Sequence, residues 1–303
     1  MSGLLEAESV ATRREPRRTV RGRTWRRLMA QPITVGAGLV LVALFVAGAL
    51  ASRIAPNPKT VHLGKWANHA PMWSGWHVLG TDNLGRDMAV RTLWAVHWSE
   101  QSAVLATLLA SVVGILLGGV AGYRGGWLDS LIMRLGDMLG VFPAIMLLLI
   151  AYTYVVNVTV EKETLIIGVF LWIQVARVVR AEIASLRARE FVQAELSLGA
   201  SDRRIFFRHL LPNAGSTIIV AVTSLLGQVI ILEATLEFFQ VGVPSAVRPT
   251  LGNLIGDAQS GSLAYGLGWW TLVVPAGVLL LMLVCVNLFG DGLAEALRPA
   301  RSR

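Results

Sequence analysis

The chain has 303 residues, of which 54% are hydrophobic and only 15% charged, with a formal net charge of +8. Apolar residues in a soluble domain of this size would be interrupted far more often, so the composition excludes a large water-soluble core. Membrane topology and anionic lipid account for the basic excess, which excludes nucleic acid as its partner.

Residues 1–32 form a basic arm with Arg13, Arg14, Arg17, Arg18, Arg21, Arg23, Arg26 and Arg27. The uncharged run Ile33–Ala51 follows, and 33–54 is predicted as the first spanning helix. The arm, the run and Ala49-Leu50-Ala51 imitate a secretory signal, but 19 uncharged residues exceed the usual signal core, so an uncleaved span is expected. Residues 55–100 read as an outer segment, with Pro56, Pro58, Pro71 and interfacial Trp66, Trp73, Trp76, Trp94 and Trp98. Within it, Asp82 and Arg86 stand at i, i+4, a spacing that staples a short helix by only a few tenths of a kcal/mol. His62, His69 and His77 are too loosely spaced for a metal site and read as interfacial histidines.

The second uncharged run, Gln101–Gly122, carries Gly114, Gly118, Gly119 and Gly122, small residues that let helix backbones approach closely. Met138–Val160 supplies a third span. Thr164–Ala176 gives 13 uncharged residues before Arg177 and Arg180, and is counted as a fourth span with a re-entrant segment as the alternative. Its helical pattern continues through Glu182, Arg187, Arg189 and Glu190 and is expected to leave the bilayer. At Gly199 a sharp turn leads into a second short helix, with Ser201 as its N-cap and Pro212 closing it. Two short amphipathic helices at an angle make a knob able to fit a groove on another protein.

Ala214–Leu232 is the fifth uncharged run, and beyond it Glu233 and Glu237 share one helical face near the outer end. Ionisable groups there need water or a partner. Either the pair lines an outward cavity and favours a cationic group such as a peptide amine, or it makes a charge pair or hydrogen bond at an interface. Ala258–Gly290 is the sixth run, kinked by Pro275. Cys285, the single cysteine, excludes an internal disulfide and a cysteine-based metal cluster. No metal site is expected.

Six spans place 20 of the 27 basic residues on one side, which orients both termini and the 190–213 loop to the cytoplasm of a multi-pass plasma (inner) membrane protein. The core then runs over 101–292 with five spans, and 293–303 is a cytoplasmic tail.

Five stretches resemble one family. EFVQAELSLGASDRRIFFRHLLPN, 190–213, is similar to the cytoplasmic "EAA" coupling loop of ABC-transporter permeases. Gln193, Ala194, Glu195, Gly199, His209, Leu211 and Pro212 occupy the motif positions; two of the opening triplet and the hydrophobic position differ. LGTDNLGRD (79–87), the 121–143 stretch with Gly122, Tyr123, Gly125, Gly126, Asp129, Met133, Arg134, Asp137 and Pro143, and ILEATLEFFQVGVPS resemble the dipeptide/oligopeptide (and nickel) importer branch. In the last of these Glu237 replaces the family serine and Gln240 a glycine. NLFGDGLAEALRP, 287–299, resembles the branch's ending.

The resemblance implies an all-α membrane protein with six transmembrane helices and the type I ABC-importer permease (MetI-like) fold, similar to a C-type permease subunit. It implies a homologous second permease, two ATPase subunits and an extracytoplasmic binding protein as partners. ATP and Mg would be bound by those ATPases, since this chain has no phosphate loop and no cofactor of its own. By the same resemblance Gln193, Ala194, Glu195, Leu198, Gly199, Ala200, Arg203 and Phe206 would form the ATPase-coupling surface; Glu233 and Glu237, read from their shared helical face rather than from the resemblance, are the candidates for the translocation path. The implied solutes are di- or oligopeptides, with nickel, haem or another small solute as alternatives. A secondary transporter or channel would need mid-bilayer coupling or selectivity residues and inverted repeats, neither of which is evident. A membrane enzyme would need a nucleophile, metal or acid–base cluster, and no H-E-x-x-H or G-x-S-x-G occurs.

Overall fold

The computed structural model describes residues 26–60, 67–72, 77–155, 158–261 and 268–297. Most of the basic arm, His62, Trp66, Trp73, Trp76 and the basic tail lie outside the described residues. The helices are α1 (Pro32–Ile54), α2 (Met88–Arg124), α3 (Gly126–Gly140), α4 (Ala144–Thr153), α5 (Val160–Arg187), α6 (Glu190–Ser197), α7 (Asp202–Phe238), α8 (Leu251–Ser260) and α9 (Trp270–Leu297). Five of them are long and apolar enough to cross a bilayer, six if the bent α3–α4 pair makes one crossing.

α2 begins at Met88, well before the uncharged run, so the last part of the segment expected to lie outside is helical. Its N-terminus is fixed by Asp87, whose Oδ1 accepts from the Val90 amide at 3.0 Å and whose Oδ2 lies 2.6 Å from His77 Nδ1. Its 37 residues rise about 55 Å, against roughly 30 Å of hydrocarbon. Gly125 and Gly126, both at positive φ, end it and turn the chain into α3.

The third crossing departs from expectation. Met138–Val160 is not one helix: α3 stops at Gly140, and α4 starts after Pro143 at an angle of 83°. The cause is local, since Pro143 has no N–H to continue the ladder and restricts Phe142 before it. The fourth crossing is instead continuous, because α5 runs unbroken for 28 residues through Arg177 and Arg180. Both arginines find carboxylates on α3: Arg177 Nη2 donates to Asp137 at 2.7 Å, and Arg180 grips Asp129 with Nε and Nη2, the latter at 2.6 Å. That pairing removes the reason to end the helix there and disposes of a re-entrant fourth segment.

α2 and α5 form the centre of the bundle, packed in parallel through small residues. Ala95, Ala103, Ala106 and Ala110 are at most 1% exposed, and Gly114, Gly118 and Gly122 lie over the backbone of Trp172, Ala176 and Arg180. Both series advance by four residues per contact, so a glycine row on one helix receives the backbone of the other over two turns. The core completed around this seam includes Ile167, Val175, Val179, Leu225 and Val229. α1 packs on its edge, where Gly38 meets Phe289 and Gly48 meets His97.

α7 shows a second departure, because Pro212 does not close a helix. The chain continues from Asp202 to Phe238, passing through a π-helical stretch at Ile205–Leu210. There the Leu211 amide bonds Phe206 O, five residues back, and Asn213 Nδ2 donates to His209 O at 2.6 Å. The wider turn accommodates the proline ring and its missing donor without a break. Ser201 does sit at the N-cap position, but its side chain makes no capping bond. The last uncharged run is likewise divided between the end of α8 and α9, whose helix contains Pro275 and the buried Cys285.

Candidate functional site

At one end of the bundle the chain builds a knob. α6 ends through the Leu198 amide on Ala194 O at 3.1 Å and the Ala200 amide on Glu195 O at 3.1 Å, with Gly199 between them at φ +78°. This is the left-handed closure that glycine adopts without a Cβ penalty. Val192 and Ile205 are fully buried and anchor the two arms to the core cluster. Leu198, at the apex, is 83% exposed.

Bracing comes from the end of α2. Tyr123 Oη donates to Asp202 Oδ1 at 2.7 Å; Arg187 Nη1 donates to Tyr123 O, and its guanidinium lies 5.1 Å from the Tyr123 ring centroid. Phe206 sits edge-on to Tyr123 at 6.1 Å and covers Gly119, where an added Cβ would meet its ring. Gln193 Nε2 donates to Arg187 O at 3.1 Å, and Glu195 Oε1 lies 3.7 Å from His209 Nε2.

The residues expected to form one contact surface therefore divide. Gln193, Ala194, Leu198, Gly199 and Arg203 are exposed. Phe206 corrects the expectation: its ring is the plug between knob and α2 rather than an outward contact, because Gly119 leaves room for it. Ala200 packs against the core cluster, and Glu195 is half-buried against His209. Phe207, edge-on to Phe206 at 5.1 Å and 55% exposed, is a further exposed apolar side chain of the knob that occupies no motif position.

At the other end Glu233 and Glu237 are each 1% exposed. The expectation that they line an open outer cavity is not met in this chain, since both side chains turn inward. Asn253 Nδ2, on α8, donates to Glu237 Oε2 at 3.3 Å and to Arg248 O at 2.9 Å. Arg248, 3% exposed, donates through Nη1 to Glu163 Oε2 at 3.2 Å and through Nη2 to Trp98 O at 3.2 Å and Ser102 Oγ. The cluster thus fastens the 239–250 loop to α2, α5 and α8. Gly242 lies against the Glu237 carboxylate, where a side chain would collide.

A second buried assembly lies nearby. Asp82 accepts from the Leu84 and Arg86 amides at 2.9 Å each, and from Arg86 Nε and Arg91 Nη1 at 2.6 Å each. Arg91 also reaches Asp257 at 3.4 Å, and Asp257 accepts from Ser245 Oγ at 2.6 Å. The Asp82–Arg86 pair therefore staples a loop closed by the Thr81–Asp87 bridge rather than a helix, because the Asp82 carboxylate bonds the amides that a helix would direct to carbonyls. Glu163, Arg248, Arg91 and Asp257 were not singled out from sequence, since their partners are remote in the chain.

Residues 114–303 match the family model described as "Binding-protein-dependent transport system inner membrane component". The oligopeptide transport system permease protein OppC of Mycobacterium tuberculosis is 35% identical over 226 residues, 74% of this chain and 76% of that protein. OppC of Bacillus subtilis is 34% identical over 227 residues, 74% of this chain and 72% of its own length. Among solved structures, an inward-facing MetNI methionine ABC transporter aligns over 68% of this chain and 98% of its own, with TM-score 0.54 and 18% identity, a likeness of fold.

Proposed function

Because the chain belongs to the family of binding-protein-dependent transport system inner membrane components, we propose that it is one of two permease subunits of an ATP-driven importer of di- or oligopeptides. In this reading a homologous permease completes the path, an extracytoplasmic binding protein delivers the solute, and two ATPase subunits bind ATP and Mg. The chain itself makes and breaks no covalent bond. Both termini and the knob face the cytoplasm, where the basic residues concentrate.

The observation that carries the reading is the knob. A leucine 83% exposed at the tip of a glycine-closed turn is a poor surface for water and a good anchor for a cleft. Behind it, Tyr123, Asp202, Arg187 and Phe206 tie the knob to α2 and α5, so force applied at the tip has a rigid path into the bundle. Gln193, Ala194, Leu198, Gly199 and Arg203 are the contact surface of this proposal, and Glu195, Ala200 and Phe206 hold its shape. Peptides are the proposed solute because the relatives named above are oligopeptide permeases.

The test is purification of the full chain from its native membranes. An ATPase co-purifying in stoichiometric amount, and crosslinking to Leu198→Cys, is expected, together with ATP-dependent uptake of a radiolabelled tripeptide. A chain that purifies intact without an ATPase, or whose position 198 labels only from outside intact cells, refutes the proposal.

A further inference from the structure

Between α5, α7 and the last turns of α9 lies a groove of about 460 Å³. Its volume falls within the roughly 300–1,000 Å³ of small-molecule sites. No charged residue lines it. Its polar lining is Gln174 from α5 and Ser216, Thr217, Ser224 and Gln228 from α7. Thr217, Ser224 and Gln228 follow one another at seven and four residues, so they stack along one face of the helix, within the uncharged run that crosses the bilayer.

These side chains behave differently from other polar groups in the same helix. Thr223 and Thr235 return their hydroxyls to carbonyls of α7, donating to Ile219 O at 2.7 Å and Ile231 O at 2.6 Å. Among the described residues, Gln174, Ser216, Thr217, Ser224 and Gln228 make no such bond, and Gln174, Ser224 and Gln228 are exposed. An amide facing hydrocarbon without a partner is costly. Half a turn round α7, Ile219 is exposed and apolar, as a lipid-facing position should be. The helix thus has one face for lipid and one for water.

We infer that this groove is a solute-contacting stretch of the translocation path, in which neutral carboxamide and hydroxyl groups take hydrogen bonds from, and give them to, the backbone amides of a passing peptide. The inference rests on the permease reading, and it assigns the path to Gln174, Ser224 and Gln228 rather than to the inward-turned Glu233 and Glu237. Paired donors and acceptors without fixed charge suit a substrate whose side chains vary while its amides do not. Beyond Gln228 the same face of α7 is continued by Ile231, so the polar lining stops short of the far end.

The test uses thiol accessibility in the full transporter. In a Cys285→Ser background, Ser224→Cys, Gln228→Cys and the lipid-face control Ile219→Cys are treated in inside-out vesicles with a cationic methanethiosulfonate. Because the thiolate is the reacting species, positions 224 and 228 should label more than about tenfold faster than 219. Labelling should also block uptake, and Gln228→Leu should lower uptake severalfold while ATPase co-purification stays intact. Equal labelling at all three positions, or disulfide capture of Ser224→Cys by the second permease with no access for the reagent, overturns the inference. Labelling needs no knowledge of the solute, so its failure is separable from failure of the peptide assignment.

Discussion

Replacing Gly118 by alanine puts a methyl group where the backbone of α5 already stands. The new Cβ would lie 2.7 Å from Ala176 Cα, with Ala176 O nearer still. Carbon atoms at rest sit about 3.5–4.0 Å apart, so α2 and α5 must separate by roughly 1 Å. Overpacking of this kind costs about 1–3 kcal/mol, offset by about 0.5–1 kcal/mol from the better helix propensity of alanine. The difference centres on about 1 kcal/mol with an upper end of about 2.5 kcal/mol, which lowers the melting temperature by a few degrees and by at most roughly 10 °C. Gly277→Ala is the matched control, because nothing lies within 4 Å of its added Cβ. It should leave melting unchanged or raise it by up to about 4 °C. The lone buried Cys285 supplies the assay: a thiol-reactive dye reports its exposure as the purified chain is heated. If Gly118→Ala melts with the parent, or with Gly277→Ala, close backbone contact is not what seats α2 on α5.

Leu198→Asp should abolish uptake, by at least about tenfold, while melting stays within about 1 °C of the parent, since so exposed a side chain contributes little to the fold; unchanged uptake removes Leu198 from the coupling surface. Gly199→Val forces a branched side chain into a left-handed turn and should reduce ATPase co-purification, whereas Gly199→Asn, better tolerated at positive φ, should retain more of it. Equal retention by the two would show that the turn is not critical. Arg248→Met leaves Glu163 buried without its guanidinium and should cost about 3–5 kcal/mol in the same melting assay. The double variant Glu163→Gln, Arg248→Met should recover most of that, and a double no better than the single would locate the loss elsewhere.

Runs of uncharged residues located the crossings because hydrocarbon tolerates no unpaired backbone, and the Gly114–Gly118–Gly122 row announced a close helix contact because only glycine permits one. The same reading failed where the cause was not polarity. Gly140 to Pro143 is as apolar as its surroundings, so counting charges passed over an 83° bend that Pro143 itself signalled. The arginines of α5 looked like the end of a span because their carboxylate partners on α3 lie at least 40 positions away in sequence. Distance in sequence also hid Arg248, which pairs with a glutamate 85 residues earlier. The knob was legible through its glycine and its spacing, but not which of its side chains face inward; Phe206 is turned by an absent side chain at Gly119, far from the motif.

One consequence attaches to α2. Near its first turn Arg91 is held to Asp82 and Asp257, and at its last Tyr123 is held to Asp202 and Arg187, with a single uninterrupted helix between. It therefore joins the two hydrogen-bonded assemblies as one rod about 55 Å long, whose last turns are laid against the backbone of α5 along the Gly114–Gly118–Gly122 row. Within the permease reading proposed above, a displacement of either end is carried along the rod to the other, over a distance greater than the roughly 30 Å hydrocarbon layer.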